Sequence, residues 1–244
     1  MDEIIITPEN FISGLNALLI SIVGLVIGIL IMLKYRKYKS KLFLFWGFAW
    51  CGFYQPWWGT TTSFIYALIT RYTIPDQLYM FLSTFFIPFF MIAWIYGLTE
   101  MILKDKRKIL AIIYSIIMIS YNIFLIVGLI FNPTLIGKSE GFNTDYELIP
   151  TAYLLFINFS IVISGFLFAR DSRKSSNKET RLKSLFLIFA FFTYLTGSIG
   201  DVLVSDNVIL QAIVRTYIMI GSISFYIGMF MPKFVKKLLK IEEN

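Results

Sequence analysis

Residues 184–232 read SLFLIFAFFTYLTGSIGDVLVSDNVILQAIVRTYIMIGSISFYIGMFMP. Two apolar runs of membrane-spanning length are separated here by a few polar residues, and neither alternates with period two, so the stretch reads as a helical hairpin in lipid. Each run carries one formal charge where hydrocarbon is expected, Asp201 in the first and Arg215 in the second. Asp201 lies about one turn below the expected outer end of its span, roughly 5 Å deep, and Arg215 roughly 10 Å down the next. An unpaired charge at such depth costs on the order of 1 to 3 kcal/mol, so both are expected to face other helices. The long arginine side chain can climb to the aspartate, and the two are expected to pair across the hairpin. Gln211 and Tyr217 lie nearby as the other parts of a possible anion or ligand anchor.

The composition excludes a soluble globular domain. Hydrophobic residues make up 57% of the 244, aromatic residues 18% and charged residues 15%, against about 25% charged in an average soluble domain. There is no histidine and one cysteine, Cys51. Zinc sites of the His/Cys type, haem held by histidine, Ser-His-Asp or Cys-His catalysis and intrachain disulfides are therefore all out of reach. No Gly-rich phosphate loop or acidic metal cluster stands in their place. The chain is expected not to be an enzyme and to carry no cofactor or metal.

Working outward from the hairpin, the fold class is all-α, a polytopic membrane bundle of seven transmembrane helices in a single domain. The spans fall at about 11–33, 42–64, 78–103, 109–131, 149–169, 184–204 and 208–231. The acidic residues Asp2, Glu3 and Glu9 suit a retained N-terminus and not a cleaved signal peptide. In the first span, Gly24-x-x-x-Gly28 puts two positions without side chains on one face, fit for close packing against a neighbouring helix. The second span holds Trp46, Trp50, Trp57 and Trp58, and Gln55-Pro56 interrupts it. Pro56, like Pro88 in the third span, is expected to kink its helix, the freed carbonyls being taken by neighbours, by Thr60 to Thr62 or by water. Trp57 and Trp58 are expected in an aromatic belt at the outer headgroups. The alternative is a pocket opened by the kink and bounded by Trp50, Tyr54, Gln55 and Trp57. Glu100 is expected to pair with Lys104, one turn on.

Loops after spans one, three and five, with the C-terminal tail, hold 19 of the 22 Lys and Arg residues. By the positive-inside rule the N-terminus is expected outside, the C-terminus in the cytoplasm, and the acidic loop 132–148, with Gly141 at its middle, outside. The net charge of +7 then reads as attraction of the cytoplasmic loops to anionic lipid of the cell membrane, and not as nucleic-acid binding.

At the end of the seventh span, Arg215, Gly221, Tyr226-Ile227-Gly228 and Met231-Pro232, followed by Lys233, Lys236 and Lys237, form a pattern. It resembles the close of the seven-helix membrane input modules that precede prokaryotic, especially archaeal, sensor kinases. The resemblance implies a sensory module with a cytoplasmic exit, here without the kinase part. The topology is also similar to that of microbial rhodopsins, whose retinal attachment needs a lysine in the last span; this span has none, so no retinal is expected. The expected function is a receptor-like or sensory module that binds a small apolar or amphipathic ligand, or responds to membrane state, and relays a helix shift to a separate cytoplasmic partner. A small transporter or channel with a polar path through Asn122, Asn158, Gln211 and the pair Asp201 and Arg215 is the first alternative, and a structural scaffold subunit the second; a homo-oligomer is a possible assembly.

Overall fold

In hydrocarbon a backbone amide has no water to turn to, so each crossing segment satisfies its own N–H and C=O groups as a helix. A computed structural model of the chain, describing residues 4–140 and 142–241, shows six helices long and apolar enough to cross a membrane, the architecture of an all-α multi-pass membrane protein. The helices are α1 Pro8–Tyr38, α2 Leu42–Gly52, α3 Trp58–Thr70, α4 Asp76–Thr84, α5 Ile87–Ile102, α6 Arg107–Phe131, α7 Leu148–Arg173, α8 Lys178–Leu203, α9 Val208–Phe230 and α10 Lys233–Leu238. Between α6 and α7 stands an antiparallel hairpin, β1 Gly137–Glu140 and β2 Asn143–Tyr146, with Gly137 opposite Tyr146.

The expected second span is not one helix. It breaks into α2 and α3 around a 3-10 turn at Gln55–Trp57, because Pro56 has no N–H to continue the ladder. Trp57 N donates to Tyr54 O (3.2 Å) instead of to Phe53 O, and the freed Phe53 carbonyl accepts from the Tyr194 hydroxyl of α8 at 2.9 Å. Of the expected partners for a freed carbonyl, neighbours, Thr60 to Thr62 or water, a neighbour takes this one, while Thr60 turns to Phe142 O (3.0 Å) and Thr61 to Ser21 (3.0 Å). The two halves still run alongside α1 in the opposite direction: a Cβ on Gly24 would strike the Tyr54 side chain, and one on Gly28 would stand 2.6 Å from the Gly47 carbonyl oxygen. Gly24 and Gly28 thus face this chain's own second segment, at a backbone approach that only glycine permits.

The break before Pro88 separates α4 from α5 in the same way. Phe89 N turns to Phe86 O, which leaves the Phe85 carbonyl without its helical donor, and Asn122 Nδ2 of α6 supplies one at 3.2 Å. Alternation of direction gathers Glu9, Asp76, Asp145, Glu147 and Asp206 at one end of the bundle and the lysine- and arginine-rich turns at the other. At the basic end, Lys236 of α10 and Lys183 each bond Glu179 at 2.7 Å, Lys34 lies 5.0 Å over the Phe230 ring, and Val235 is buried. Glu100 also pairs there, but with Arg107 and not Lys104, because the 3-10 turn Lys104–Lys106 folds Arg107 back toward it.

At the acidic end the expected loop 132–148 is replaced by the β hairpin, which turns inward. Phe142 is buried against Phe64, and its carbonyl accepts from Thr60 and from the Tyr79 hydroxyl (3.0 Å). The expectation for Gly141 falls outside the described residues.

Candidate functional site

Where the hairpin, the 3-10 turn and α5, α7 and α8 meet, the packing leaves a cavity of about 590 Å³, within the size range of small-molecule sites. Its apolar wall includes Phe53, Ile87, Phe90, Met91, Ile157 and Ile161. The second segment presents Gly52, Phe53, Pro56, Trp57 and Thr60 to it, positions spaced about one turn apart.

The opposite face of that segment carries Trp50, Tyr54 and Gln55, the residues expected to bound a pocket. None of the three lines this cavity. Trp50 stacks on Phe225 of α9 with ring centroids 3.6 Å apart and planes 7° from parallel. The Tyr54 hydroxyl bonds Ser222 of α9, and Gln55 Nε2 donates to Leu82 O at 2.9 Å. Of the four pocket residues expected here only Trp57 lines the cavity. The belt expectation fails for Trp57, which is 5% exposed, while Trp58 is half-buried and edge-on to Phe90 with centroids 5.8 Å apart.

Trp57 leads to the polar end of the cavity. Its Nε1 donates to Asp201 Oδ2 at 2.9 Å. Arg215 Nε donates to Asp201 Oδ1 at 2.8 Å, Nη2 reaches Oδ2 at 3.5 Å, and Nη1 donates to the Ser13 carbonyl of α1 at 3.0 Å. The Ser13 hydroxyl in turn donates to Gln211 Oε1 at 3.1 Å. Five residues from four parts of the bundle are thereby tied together, with the arginine side chain only 3% exposed. The arrangement follows from helix periodicity: Gln211, Arg215, Ile218, Ser222 and Phe225 are all buried on one face of α9.

Tyr217 stands on the other side of α9. It is half-buried, edge-on to Phe189 and 3.5 Å from the Thr196 hydroxyl, and it takes no part in the expected anchor. Tyr217 lies two positions beyond Arg215, roughly 200° around the helix axis, and so points away from the face that Arg215 shares with Gln211. Asn158, expected as interhelical glue or part of a polar path, donates from Nδ2 to Ser198 Oγ at 2.6 Å and lines the cavity, while its Oδ1 is buried without a partner.

Chemically the polar end is an internally neutralised ion pair inside a ring of hydrogen-bond donors. Among the described residues no group of three His, Cys, Asp or Glu side chains could hold a metal ion. Both carboxylate oxygens of Asp201 are engaged, Oδ1 by Arg215 and Oδ2 by Trp57 and Arg215. Compared with protein-family models and with curated proteins, the chain matches none.

Proposed function

We propose that this is a receptor-like sensory module of the cell membrane that crosses it seven times, with the acidic end and the N-terminus outside and the C-terminus in the cytoplasm. The broken second segment counts as one crossing, because both of its halves flank α1 in opposite direction. The basic turns, with α10 among them, then lie against anionic lipid of the inner leaflet.

One observation carries the sensory reading: the cavity ends on Arg215, and Arg215 sits on the helix that leads to α10. A ligand that displaces any bond of the Ser13–Gln211–Arg215–Asp201–Trp57 group shifts α9 relative to α1 and α8. That shift reaches Met231, whose backbone is left-handed (φ 43°), and the Lys236–Glu179 contact that holds α10. A cytoplasmic partner reading α10 would receive the signal.

The test needs no known ligand. In a Cys51→Ala background, spin labels at Lys178→Cys and Lys237→Cys report the position of α10 relative to the start of α8. Filling the cavity with Ile157→Trp should shift the distance distribution between them; an unchanged distribution rejects the relay. For transport, Asn158, Gln211, Asp201 and Arg215 gather around one cavity while Asn122 bonds Phe85 O away from it, which favours a binding site over a continuous path. Saturable solute flux in proteoliposomes would reverse that preference.

A further inference from the structure

We infer that the cavity takes an uncharged lipophile whose polar end is a hydroxyl or carbonyl, and that it enters sideways from the bilayer between α7 and α8. This rests on the ligand-site reading above and adds the ligand's class and route.

The route follows from how the two helices separate. They run antiparallel and are tied by the Asn158–Ser198 bond, with Gly165 against Phe191 further toward the basic end. On the acidic side of that bond, Thr151, Leu154 and Leu155 of α7 face Asp201, Val202 and Ser205 across the cavity. The lip is apolar: Val202 is 72% and Leu203 78% exposed. The apolar surface also continues past the lip to the very ends of the helices, where Leu148 is 80% and Ile209 69% exposed. Side chains of this kind at the helix ends belong in hydrocarbon, so the opening below them lies in hydrocarbon too. A molecule reaching it comes from the membrane.

The class follows from the polar end. Gln211 has committed its amide oxygen to the Ser13 hydroxyl, so what it offers is amide hydrogens. Arg215 has engaged three of its five N–H groups, one with Ser13 O and two with Asp201, so it too has donors to spare. The site therefore suits an acceptor. A carboxylate would be attracted by Arg215 but would have to lie against Asp201, whose charge already cancels it. An ammonium would face these donors, while Asp201 already holds three hydrogen bonds. A hydroxyl or carbonyl oxygen meets the donors without either conflict, and its hydrocarbon remainder fills the wall of Phe90, Met91, Ile157 and Ile161.

Three photoactivatable alkyl probes of equal chain length, ending in a hydroxyl, a carboxylate or an ammonium, decide the matter with the full chain in lipid nanodiscs at neutral pH. Labelled residues are mapped by mass spectrometry, and half-saturation is measured in competition with the unlabelled chain. The alcohol should label α7 and α8 saturably around residues 151–161 and 198–205, with half-saturation about tenfold below that of either charged probe, the factor of one well-made hydrogen bond. Gln211→Leu should raise the alcohol's half-saturation about tenfold. Leu155→Trp on the lip, which leaves the polar group untouched, should slow labelling. A charged probe that labels as well as the alcohol, or a Gln211→Leu variant with unchanged half-saturation, overturns the ligand class alone. Unchanged labelling rate in Leu155→Trp overturns the lateral route. If none of the three labels the cavity saturably, the ligand-site reading falls with it.

Discussion

Two sides of the bundle are packed on opposite principles. Along the seam of α1, α2 and α9, backbones touch at Gly28 and Gly47, and the rings of Trp50 and Phe225 lie flat on one another. Across the flank of α5, α7 and α8, neighbouring walls stand apart around a cavity of about 590 Å³, and a β hairpin and single side-chain bonds such as Asn158–Ser198 do the joining. Lipid gives no hydrophobic drive between helices, so stability has to come from close packing and interhelical hydrogen bonds. The seam adds close packing to its hydrogen bonds, and the flank keeps room for another molecule.

The polar group at Arg215 belongs to both sides, and removing one charge there should have the largest effect. Arg215→Met leaves the Asp201 carboxylate with Trp57 alone and should cost about 3 kcal/mol in detergent unfolding, the scale of a broken buried pair. Asp201→Asn should cost less, because the amide can still accept from Trp57 and Arg215 keeps Ser13 O. In the double variant the two losses should be clearly less than additive; additive losses would show that the residues act separately.

Next comes the seam itself. Gly47→Ala places a methyl group 2.7 Å from Met32 N, so the helices must part, at a cost of about 2 kcal/mol. Melting of Gly47→Ala at the wild-type temperature would remove the distinction between seam and flank. On the flank, Ile161→Phe adds bulk to open space and should change stability by less than about 1 kcal/mol in either direction. The smallest effect is expected outside both. Ile116 of α6 is 61% exposed, and Ile116→Ala should move the unfolding free energy by no more than about 0.5 kcal/mol. A loss of several times that would mean α6 is covered by another protein surface in the membrane.

The seam was easier to anticipate than the flank. Gly24-x-x-x-Gly28 announces close packing by spacing alone, and Asp201 and Arg215 stand out because a charge in an apolar run has few alternatives to a partner. Pro56 likewise marks the break in the second segment. The face of that segment is not legible: with Phe, Trp, Tyr and Gly on every side, it offers no polar stripe to orient it, and the alternative pocket of Trp50 and Tyr54 falls on residues that do not line the cavity. Trp57 as a partner of Asp201 could not be found either, since the two are separated by 144 positions and no local signal links them. The hairpin was hidden for a different reason. Strands of four residues in a polar connection are too short to show alternation, and Phe142 is among the few residues whose bulk in that setting points to burial.

The contact between Ser13 and Arg215 joins α1 to α9, and synthesis proceeds from one to the other. α1 through α5 are made before Phe142 exists, so the hairpin settles on hydroxyls of Thr60 and Tyr79 that are already in place. α8 and α9 come later and bring Asp201, Gln211 and Arg215. Until then the Ser13 carbonyl and hydroxyl lack the partners they have in the finished bundle. Biogenesis of the bundle is thus a circle left open until α9 arrives, and the polar end of the cavity is completed in the same event that closes it.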